Sequence, residues 1–298
     1  MTKNIPTLLL GTAQFGWTTE RKIAFELLDA FYKSGFRQID CATNYPINKN
    51  PNDFRAAELI LQEWLRAHGI KDLRVMMKIG SLNNLRTPDC NLNRSFLLMS
   101  LENYRNQLQE NLDTLMIHWD NRDDISQISE TLDALNTIKK EGFSVGLSGI
   151  KNPELYAKAN QKYDLDFYIQ IKNNILQSDF ERYISFFKNK KYIAYGINAG
   201  GIKLNPSEYN EKSTLAVRGG DLSNQNDIFA KLSKNISDAN ENKNRPAINS
   251  FFQLGMIFSF YNPNIYGLLI GNSNVEQWKS TLTFYENLKV LDYSDVMK

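Results

Sequence analysis

The stretch LLLGTAQFG (Leu8–Gly16) decides between the two folds that the pattern of this chain allows. Its first part, Leu8–Gly11, is an apolar run that ends at a turn residue, which is typical of a strand buried on both faces. In an open, doubly wound sheet that binds dinucleotides, the turn after the first strand carries the fingerprint G-x-G-x-x-G. Gly11–Gly16 lacks the central glycine of that fingerprint. The stretch therefore favours a closed barrel over an open sheet.

Strand-like and helix-like segments alternate along the rest of the chain. Short apolar runs predict strands and longer amphipathic segments predict helices, and their alternation implies parallel pairing. We therefore predict an α/β fold, a (β/α)8 TIM barrel that forms a single domain over residues 1–298. The predicted strands are Leu8–Gly11, Phe36–Asp40, Arg74–Lys78, Thr114–His118, Ser144–Leu147, Phe167–Ile171, Tyr192–Tyr195 and Gly267–Ile270. The predicted helices are Glu20–Ser34 (with Thr18 or Thr19 as N-cap), Asp53–Ala67, Arg94–Glu110, Ile125–Glu141, Pro153–Gln161, Ser178–Asn189, Pro246–Tyr261 and Val275–Leu288.

One interval is much longer than the others, the one between the seventh and eighth predicted strands. Its surplus is polar and rich in Asn, Ser, Lys and Asp, so we predict a long loop insertion at 202–245, after strand 7. Loops of this length are usually either functional or mobile. The segment Arg218-Gly219-Gly220 could close over a ligand, and a plain surface loop is the alternative; the sequence leaves both open.

Composition and charge exclude several classes of partner. The 35 basic and 33 acidic residues give a net charge of +2, which leaves no electrostatic footprint for nucleic acid or an anionic membrane. Cys41 and Cys90 are the only cysteines, which suits a reducing compartment. The first residues lack the apolar run of a signal peptide, and no apolar stretch is long enough to span a bilayer. We expect a cytoplasmic protein, a monomer or weak oligomer that binds neither nucleic acid nor membrane.

Polar side chains follow the predicted strands at one and the same end. In parallel barrels the chemistry takes place at the carboxyl ends of the strands, so these side chains are expected to face one cavity. They are Asp40 and Tyr45 after strand 2, Lys78 after strand 3, His118 and Trp119 after strand 4, Ser148 after strand 5, Gln170 on strand 6, Tyr195 on strand 7 and Gly271-Asn272-Ser273 after strand 8.

The segment GFRQIDCATNY (Gly35–Tyr45) resembles the signature G-F-R-x-I-D-x-A-x-x-Y of the aldo-keto reductases. Lys78 and the run Ile117-His118-Trp119 resemble the family's lysine and its I-H-W motif, and the resemblance extends over essentially the whole chain. It implies a catalytic tetrad of Asp40, Tyr45, Lys78 and His118. It also implies hydride transfer between a nicotinamide cofactor and a small-molecule aldehyde, ketone or sugar-like carbonyl.

The chemistry of carbonyl reduction explains why these four residue types are needed together. A proton donor must protonate the developing alkoxide, and a phenol with a pKa near 10 does this poorly on its own. The ammonium of Lys78 is expected to lower the pKa of Tyr45, and Asp40 to hold the ammonium in a partly dry site. His118 is expected to donate a hydrogen bond to the carbonyl oxygen and orient it.

The resemblance also implies the cofactor and substrate contacts. NADP(H) is favoured because it is the family default. NAD(H) is possible, because the family's Lys and Arg that bind the 2′-phosphate fall at Gly271 and Gln277 in this chain. The family's usual Asn after Ser148 is replaced by Gly149, which weakens one contact to the carboxamide. The expected cofactor-binding residues are Gly11, Thr12, Ser148, Gln170, Tyr195, Asn198, Gly200, Gly201, Gly271, Asn272, Ser273 and Gln277. The expected substrate pocket is formed by Phe15, Trp17 and Trp119 beside Tyr45.

Two other functions compete with this one. A regulatory or sensor subunit could bind the cofactor and turn over little, and such a subunit can retain the tetrad. A metal-dependent barrel hydrolase would need clustered His and carboxylate ligands. The two histidines, His68 and His118, fall on different predicted elements, so no metal site is predicted.

Overall fold

The computed structural model describes residues 5–204, 226–241 and 244–297. Its strands pair in parallel and in chain order, and β8 closes on β1, which confirms the predicted (β/α)8 TIM barrel. Each predicted strand is present with ends that differ by at most two residues. The strands are β1 (Thr7–Gly11), β2 (Gln38–Ala42), β3 (Arg74–Ile79), β4 (Leu112–His118), β5 (Ser144–Ser148), β6 (Phe167–Lys172), β7 (Lys191–Tyr195) and β8 (Ile265–Ile270).

The strands are apolar throughout because both of their faces are buried. In β1 the side chains of Leu8 and Leu10 join the large cluster that includes the helices, whereas Leu9 joins a separate small cluster. Alternate side chains of a strand point to opposite faces of a sheet, so the small cluster fills the barrel interior. Its other buried members are Met76, Met116, Tyr168 and Ile193.

The helices of the described chain cover the outside of the barrel. Side chains cap the start of several of them, for example Asn93 on the Phe96 amide, as expected for residues that satisfy unpaired helical N–H groups. The first helix differs from the expectation, since Glu20 is its N-cap and neither Thr18 nor Thr19 caps it. The helices are α1 (Arg21–Lys33), α2 (Ala56–His68), α3 (Arg94–Leu108), α4 (Ile125–Lys140), α5 (Pro153–Asn160), α6 (Phe180–Ile184), α7 (Asn226–Ala239), α8 (Phe251–Phe260) and α9 (Val275–Val290).

The helix predicted at Ser178–Asn189 is wrong in length, because α6 has only five residues. Tertiary contacts hold the segment that follows it. Phe187 is buried against the ring of Phe167, and its carbonyl accepts a 2.7 Å hydrogen bond from Tyr192 Oη instead of a helical N–H. A carbonyl satisfied in this way does not require a further helical turn.

The predicted insertion at 202–245 follows β7, and its described part includes a helix. It contains α7, where Leu232, Ile236 and Ala239 are buried in the main hydrophobic cluster. Spacings of four and three residues place these side chains on one helical face, so the polar composition hid a narrow apolar stripe. The predicted ligand-closing segment Arg218-Gly219-Gly220 lies outside the described residues. Within the described chain, no helix has the length and apolar character required to cross a bilayer.

Candidate active site

The sheet register places the predicted polar residues side by side at the carboxyl ends of the strands. His118 on β4 pairs with Ser148 on β5, and Ser148 pairs with Gln170 on β6. On the other side of the barrel, Asp40 on β2 pairs with Gly11 on β1. These residues line one cleft with a volume of about 1240 Å³, and so do the remaining tetrad members.

The four tetrad side chains are almost completely buried at the floor of this cleft. Their exposed fractions are 1% for Asp40, 7% for Tyr45, 1% for Lys78 and 3% for His118. Asp40 and Lys78 lie within strands, His118 ends β4, and Tyr45 lies in the loop after β2. The tetrad is therefore assembled from three consecutive β/α units, as the spacing of the residues predicts.

A buried ion pair forms the centre of the site. Lys78 Nζ donates a short hydrogen bond to Asp40 Oδ2. The amide of Gln170 braces both partners, because its Nε2 donates to Asp40 Oδ1 at 2.5 Å and its Oε1 accepts from Lys78 Nζ at 3.3 Å. Ser148 Oγ donates to the same Oε1 at 3.2 Å. Buried charges are tolerated when they are paired and their remaining hydrogen-bonding groups are satisfied, as they are here.

The lysine lies directly beside the phenol of Tyr45. Lys78 Nζ is 4.8 Å from the centroid of the Tyr45 ring. Burial lowers the pKa of Lys78, but the charge of Asp40 and the phenol of Tyr45 together raise it more, so the pKa lies above its ordinary value. The amine is therefore an ammonium at neutral pH.

The expected lowering of the Tyr45 pKa is wrong in net direction. Burial raises the pKa of this phenol above its ordinary value, and the ammonium of Lys78 offsets only part of that rise. Desolvation penalises the phenolate more strongly than one neighbouring cation stabilises it. Tyr45 is therefore a protonated phenol at neutral pH, placed beside the cation that would stabilise its conjugate base.

His118 is a neutral imidazole under the same conditions. Burial, and after it the charge of Lys78, holds the pKa of His118 well below its ordinary value. Its ring lies 5.8 Å from that of Tyr45 in an edge-on arrangement and 4.7 Å from that of Trp119. The Nδ1 atom is buried and has no hydrogen-bond partner among the described residues. A neutral imidazole carries one N–H, which suits a hydrogen-bond donor to a substrate oxygen.

A second buried network, which the sequence analysis missed, supports the loop that carries Tyr45. Glu58 on α2 accepts a 2.9 Å hydrogen bond from Tyr104 Oη, and that hydroxyl lies 2.9 Å from Thr43 Oγ1. The Thr43 amide donates to the carbonyl of Lys78 at 3.0 Å. The only signal in the sequence is an acidic residue, Glu58, on the apolar face of a predicted helix.

Most of the predicted cofactor residues line the same cleft as the tetrad. Two do not: the hydroxyl of Thr12 donates to the backbone carbonyl of Asp40 at 3.0 Å, and Gly200 lies within the turn after β7 without facing the cleft. Those that line the cleft are Gly11, Ser148, Gln170, Tyr195, Asn198, Gly201, Gly271, Asn272, Ser273 and Gln277.

The predicted substrate pocket is partly corrected. Trp17 and Trp119 line the cleft, but Phe15 is fully buried in the hydrophobic core. The tight turn after β1, in which the Phe15 amide donates to the Thr12 carbonyl at 2.9 Å, directs the ring inward. Cleft residues that the sequence analysis did not single out include Gln14, Ile47, Arg86, Lys203 and Phe252. They lie on loops after strands or near the start of α8, where apolar periodicity gives no signal.

The turn after β7 is compact and has a left-handed backbone. Ala199, Gly200 and Gly201 have φ values of 50°, 86° and 91°, and the Gly201 backbone amide closes the turn on the Asn198 backbone carbonyl at 2.9 Å. Glycine adopts positive φ without strain and lets a ligand approach the backbone closely. α8 packs tightly beneath this turn, since a Cβ atom on Gly255 would lie 1.9 Å from the Ile197 carbonyl oxygen.

The far end of the cleft, at the start of α9, carries neutral polar side chains. Gln277 Oε1 accepts hydrogen bonds from the amide and the hydroxyl of Ser273, at 2.9 and 3.2 Å. Asn272 donates to Thr281 Oγ1 at 3.1 Å, while its buried Oδ1 has no partner among the described residues. None of the described cleft residues between 271 and 281 is cationic, and Lys279 pairs with Glu276 instead. Among the described residues, no group of His, Cys, Asp and Glu side chains is arranged to hold a metal ion.

The closed barrel with this buried tetrad at its carboxyl rim defines the class of protein, and comparison of the sequence with family models agrees. The model of the aldo/keto reductase family matches residues 7–296. The chain belongs to the aldo/keto reductase family.

Individual relatives are more distant. The chain is 28% identical over 203 residues to a Saccharomyces cerevisiae protein whose name assigns it to the aryl-alcohol dehydrogenases (AAD14), a match that covers 60% of this chain and 51% of the relative. A second yeast protein of that name (AAD4) is 28% identical over 53% of this chain and 50% of the relative. The protein tas of Escherichia coli is 28% identical over 64% of both chains. The match thus spans about half the length of the yeast relatives.

Proposed function

We propose that the protein is an NAD(P)(H)-dependent oxidoreductase that interconverts an aldehyde, ketone or sugar-like carbonyl and the corresponding alcohol, with Tyr45 as general acid and base. The observation that carries this proposal is the placement of one protonated, buried phenol beside one buried ammonium at the floor of a large cleft. General acid catalysis requires a proton within hydrogen-bonding reach of the reacting oxygen, and such a site supplies it.

When bound, the nicotinamide supplies or accepts the hydride at the carbonyl carbon. In the reductive direction the phenol of Tyr45 gives its proton to the carbonyl oxygen, and solvent later restores it. The ammonium of Lys78 stabilises the phenolate that remains, and Asp40 with Gln170 holds the ammonium in place. The neutral imidazole of His118 donates a hydrogen bond that orients the carbonyl oxygen. In the oxidative direction the phenolate of Tyr45 accepts the alcohol proton.

The residues that would hold the cofactor suit a dinucleotide. Ser148 and Tyr195 lie beside the tetrad, the turn at 198–201 can accept the pyrophosphate, and the unpartnered Asn272 Oδ1 can accept a hydrogen bond from the adenosine. The family resemblance favours NADP(H). The side chains at the start of α9 are neutral, so no cation is left unpaired when the cofactor lacks a 2′-phosphate, and NAD(H) is accepted as well.

The names of the yeast relatives support aryl alcohols and aryl aldehydes as the first substrate class to test. Trp17 and Trp119 on the cleft wall are compatible with an aromatic substrate, since aromatic rings pack favourably against each other. We further propose that the enzyme is a single-domain barrel that acts in the cytoplasm, a monomer or weak oligomer on a small-molecule substrate.

The decisive experiment combines cofactor binding with turnover. NADPH and NADH fluorescence titrations measure binding, and a panel of aryl aldehydes, ketones and sugars is followed at the absorbance of the reduced cofactor. Tyr45→Phe should keep the cofactor affinity and lose about 10² to 10⁴ in turnover. Tyr163→Phe is the matched control and should retain both, because this partly buried tyrosine between α5 and β6 does not line the cleft. Unchanged turnover in Tyr45→Phe would refute the mechanism, and cofactor binding without any turnover in the unaltered protein would support a sensor subunit.

A further inference from the structure

The loop after β3, residues 80–91, is a well-built hairpin at the mouth of the cleft; we call it the rim loop. Ser81 and Cys90 form an antiparallel bridge, and the Asn91 amide donates to the Gly80 carbonyl at 2.9 Å. At the tip, Asn83 Oδ1 accepts hydrogen bonds from the Leu85 amide at 2.9 Å and the Thr87 hydroxyl at 3.1 Å. The loop is therefore held by its own hydrogen bonds.

The rim loop is also fastened to the segment that follows Tyr45. Asn84 is buried, and its Nδ2 donates to the Asn50 carbonyl at 2.6 Å and to Asn48 Oδ1 at 3.2 Å. The backbone carbonyl of Asn84 in turn accepts a hydrogen bond from the Lys49 backbone amide at 3.3 Å. These contacts fix the rim loop relative to the catalytic phenol.

Arg86 occupies a strained position on this loop. Its φ of 64° lies in the left-handed region, which is strained for a residue with a Cβ atom and persists where the surroundings impose it. The side chain lines the cleft, and Nη2 donates to the carbonyl of Ile47 at 3.2 Å, two residues after Tyr45. No carboxylate among the described residues pairs with it.

The other charged side chains that line the described cleft lie elsewhere. Asp40 and Lys78 neutralise each other on the floor. Glu20 lies toward the start of α9, since the neighbouring Thr19 hydroxyl contacts the Ser273 carbonyl at 3.5 Å. Lys203 follows the turn at 198–201. At the tetrad end of the described cleft, Arg86 is thus a cation without a counter-charge.

We propose that Arg86 binds an oxyanion, a carboxylate or a phosphate, on the same molecule as the reacting carbonyl. A guanidinium is always charged and its planar fork fits both groups with two hydrogen bonds. The Ile47 carbonyl engages one donor and orients the fork, which leaves further N–H groups for the substrate. This proposal rests on the proposed function and narrows its substrate class to anionic aldehydes or ketones.

The test compares pairs of aryl aldehydes in which one member carries an anionic group and the other carries a neutral group at the same ring position. 4-Formylbenzoate is compared with its methyl ester, and 4-formylphenyl phosphate with 4-methoxybenzaldehyde. Arg86→Met keeps an unbranched apolar stem and removes the charge. Arg66→Met, on an exposed position of α2, is the matched loss of one positive charge.

In Arg86→Met, kcat/KM should fall about fivefold to tenfold for the anionic member of a pair and stay unchanged for the neutral one. Added salt should lower kcat/KM for the anionic substrate in the unaltered protein and leave it unchanged in Arg86→Met. Arg66→Met should behave like the unaltered protein. The pair whose anionic member loses more kcat/KM shows whether Arg86 prefers a carboxylate or a phosphate. An equal loss for both members of each pair, or no loss, would overturn the proposal.

A binding readout keeps this test separate from the proposed function. Quenching of tryptophan fluorescence on titration with 4-formylbenzoate reports binding whether or not turnover occurs, because Trp17 and Trp119 line the cleft. The unaltered protein should bind the acid more tightly than the ester, and Arg86→Met should bind both alike. Tighter binding of the acid without turnover would support the role of Arg86 in binding and contradict the proposed oxidoreductase activity. Equal binding of acid and ester by the unaltered protein would overturn the role of Arg86 alone.

Discussion

Gln170 Nε2 donates a 2.5 Å hydrogen bond to Asp40 Oδ1, although 130 positions of the chain separate the two residues. The same amide accepts from Lys78 Nζ and Ser148 Oγ through Oε1. One neutral side chain on β6 thereby braces an ion pair between β2 and β3 from the other side of the barrel. Gln170 therefore supports Lys78, the residue proposed to stabilise the phenolate of Tyr45, in addition to the cofactor contact that the family resemblance implies.

Gln170→Leu should reduce the free energy of unfolding by about 2 kcal/mol, because hydrogen bonds to buried charged groups contribute more than neutral ones. Gln38→Leu is the matched control and should lose about 1 kcal/mol, since within the described chain the Gln38 side chain bonds only to the neutral hydroxyl of Tyr266. Urea unfolding of both variants measures the difference. Equal losses would show that the brace does not stabilise the ion pair.

Lys78→Met leaves the carboxylate of Asp40 buried without its cation and should cost about 3–5 kcal/mol of stability. The double variant Asp40→Asn with Lys78→Met should recover most of this stability, because no charge then remains buried. It should not recover turnover, because the phenolate of Tyr45 lacks its ammonium. Urea unfolding and carbonyl reduction, measured on the same preparations, separate the two effects. Restored turnover in the double variant would contradict the role of Lys78.

The buried, neutral His118 makes stability depend on pH. Its folded pKa lies well below the value near 6.5 of the unfolded chain. The unfolded chain therefore binds more protons below pH 6.5, so the stability from neutral His118 is fully present above that pH and is lost as the pH falls below it.

Urea unfolding at pH 7, 6 and 5 should show a smaller loss of stability in His118→Gln than in the unaltered protein. The slopes should differ by at most about 1.4 kcal/mol per pH unit, the contribution of one proton. A variant that follows the same pH dependence as the unaltered protein would show that His118 is not the titrating group.

Gly271→Lys should shift cofactor preference toward NADPH. A Cβ atom at this position meets no atom within 4 Å, so a side chain fits. The described cleft residues at the start of α9 include no cation that could already bind a 2′-phosphate. An added ammonium should strengthen the binding of NADPH relative to that of NADH by about fivefold. Gly271→Met is the uncharged control, and fluorescence titrations give both affinities. The same ratio in both variants would place the 2′-position of the cofactor elsewhere.

Gly255→Ala should destabilise the protein although alanine favours helices. The gain in helix propensity is about 1 kcal/mol, but the new Cβ atom would lie 1.9 Å from the Ile197 carbonyl oxygen, a backbone atom that cannot move aside cheaply. The net loss in thermal stability should be accompanied by weaker cofactor binding, since the turn at 198–201 must shift. A variant more stable than the unaltered protein would contradict the close packing of α8 on this turn.

The sequence predicted the parts of the fold that depend on local patterns. The strands follow from apolar runs, and the tetrad follows from polar residues at their ends and from the Gly35–Tyr45 segment. The sequence analysis missed the short length of α6 and the presence of α7. The segment after α6 is held by the hydrogen bond from the Tyr192 hydroxyl to the Phe187 carbonyl, and the buried stripe of α7 is too narrow to stand out in a polar segment.

The sequence by itself determined the barrel and the rim at which the polar residues meet, because strand periodicity and chain order are local properties. Only the tertiary structure decided that Phe15 packs into the core, that Gln170 braces the ion pair, that burial outweighs Lys78 in setting the pKa of Tyr45, and that Arg86 faces the cleft. Each of these depends on atoms that become neighbours only when the barrel closes. Desolvation and cross-barrel hydrogen bonds act through space, and the order of residues in the chain does not encode them directly.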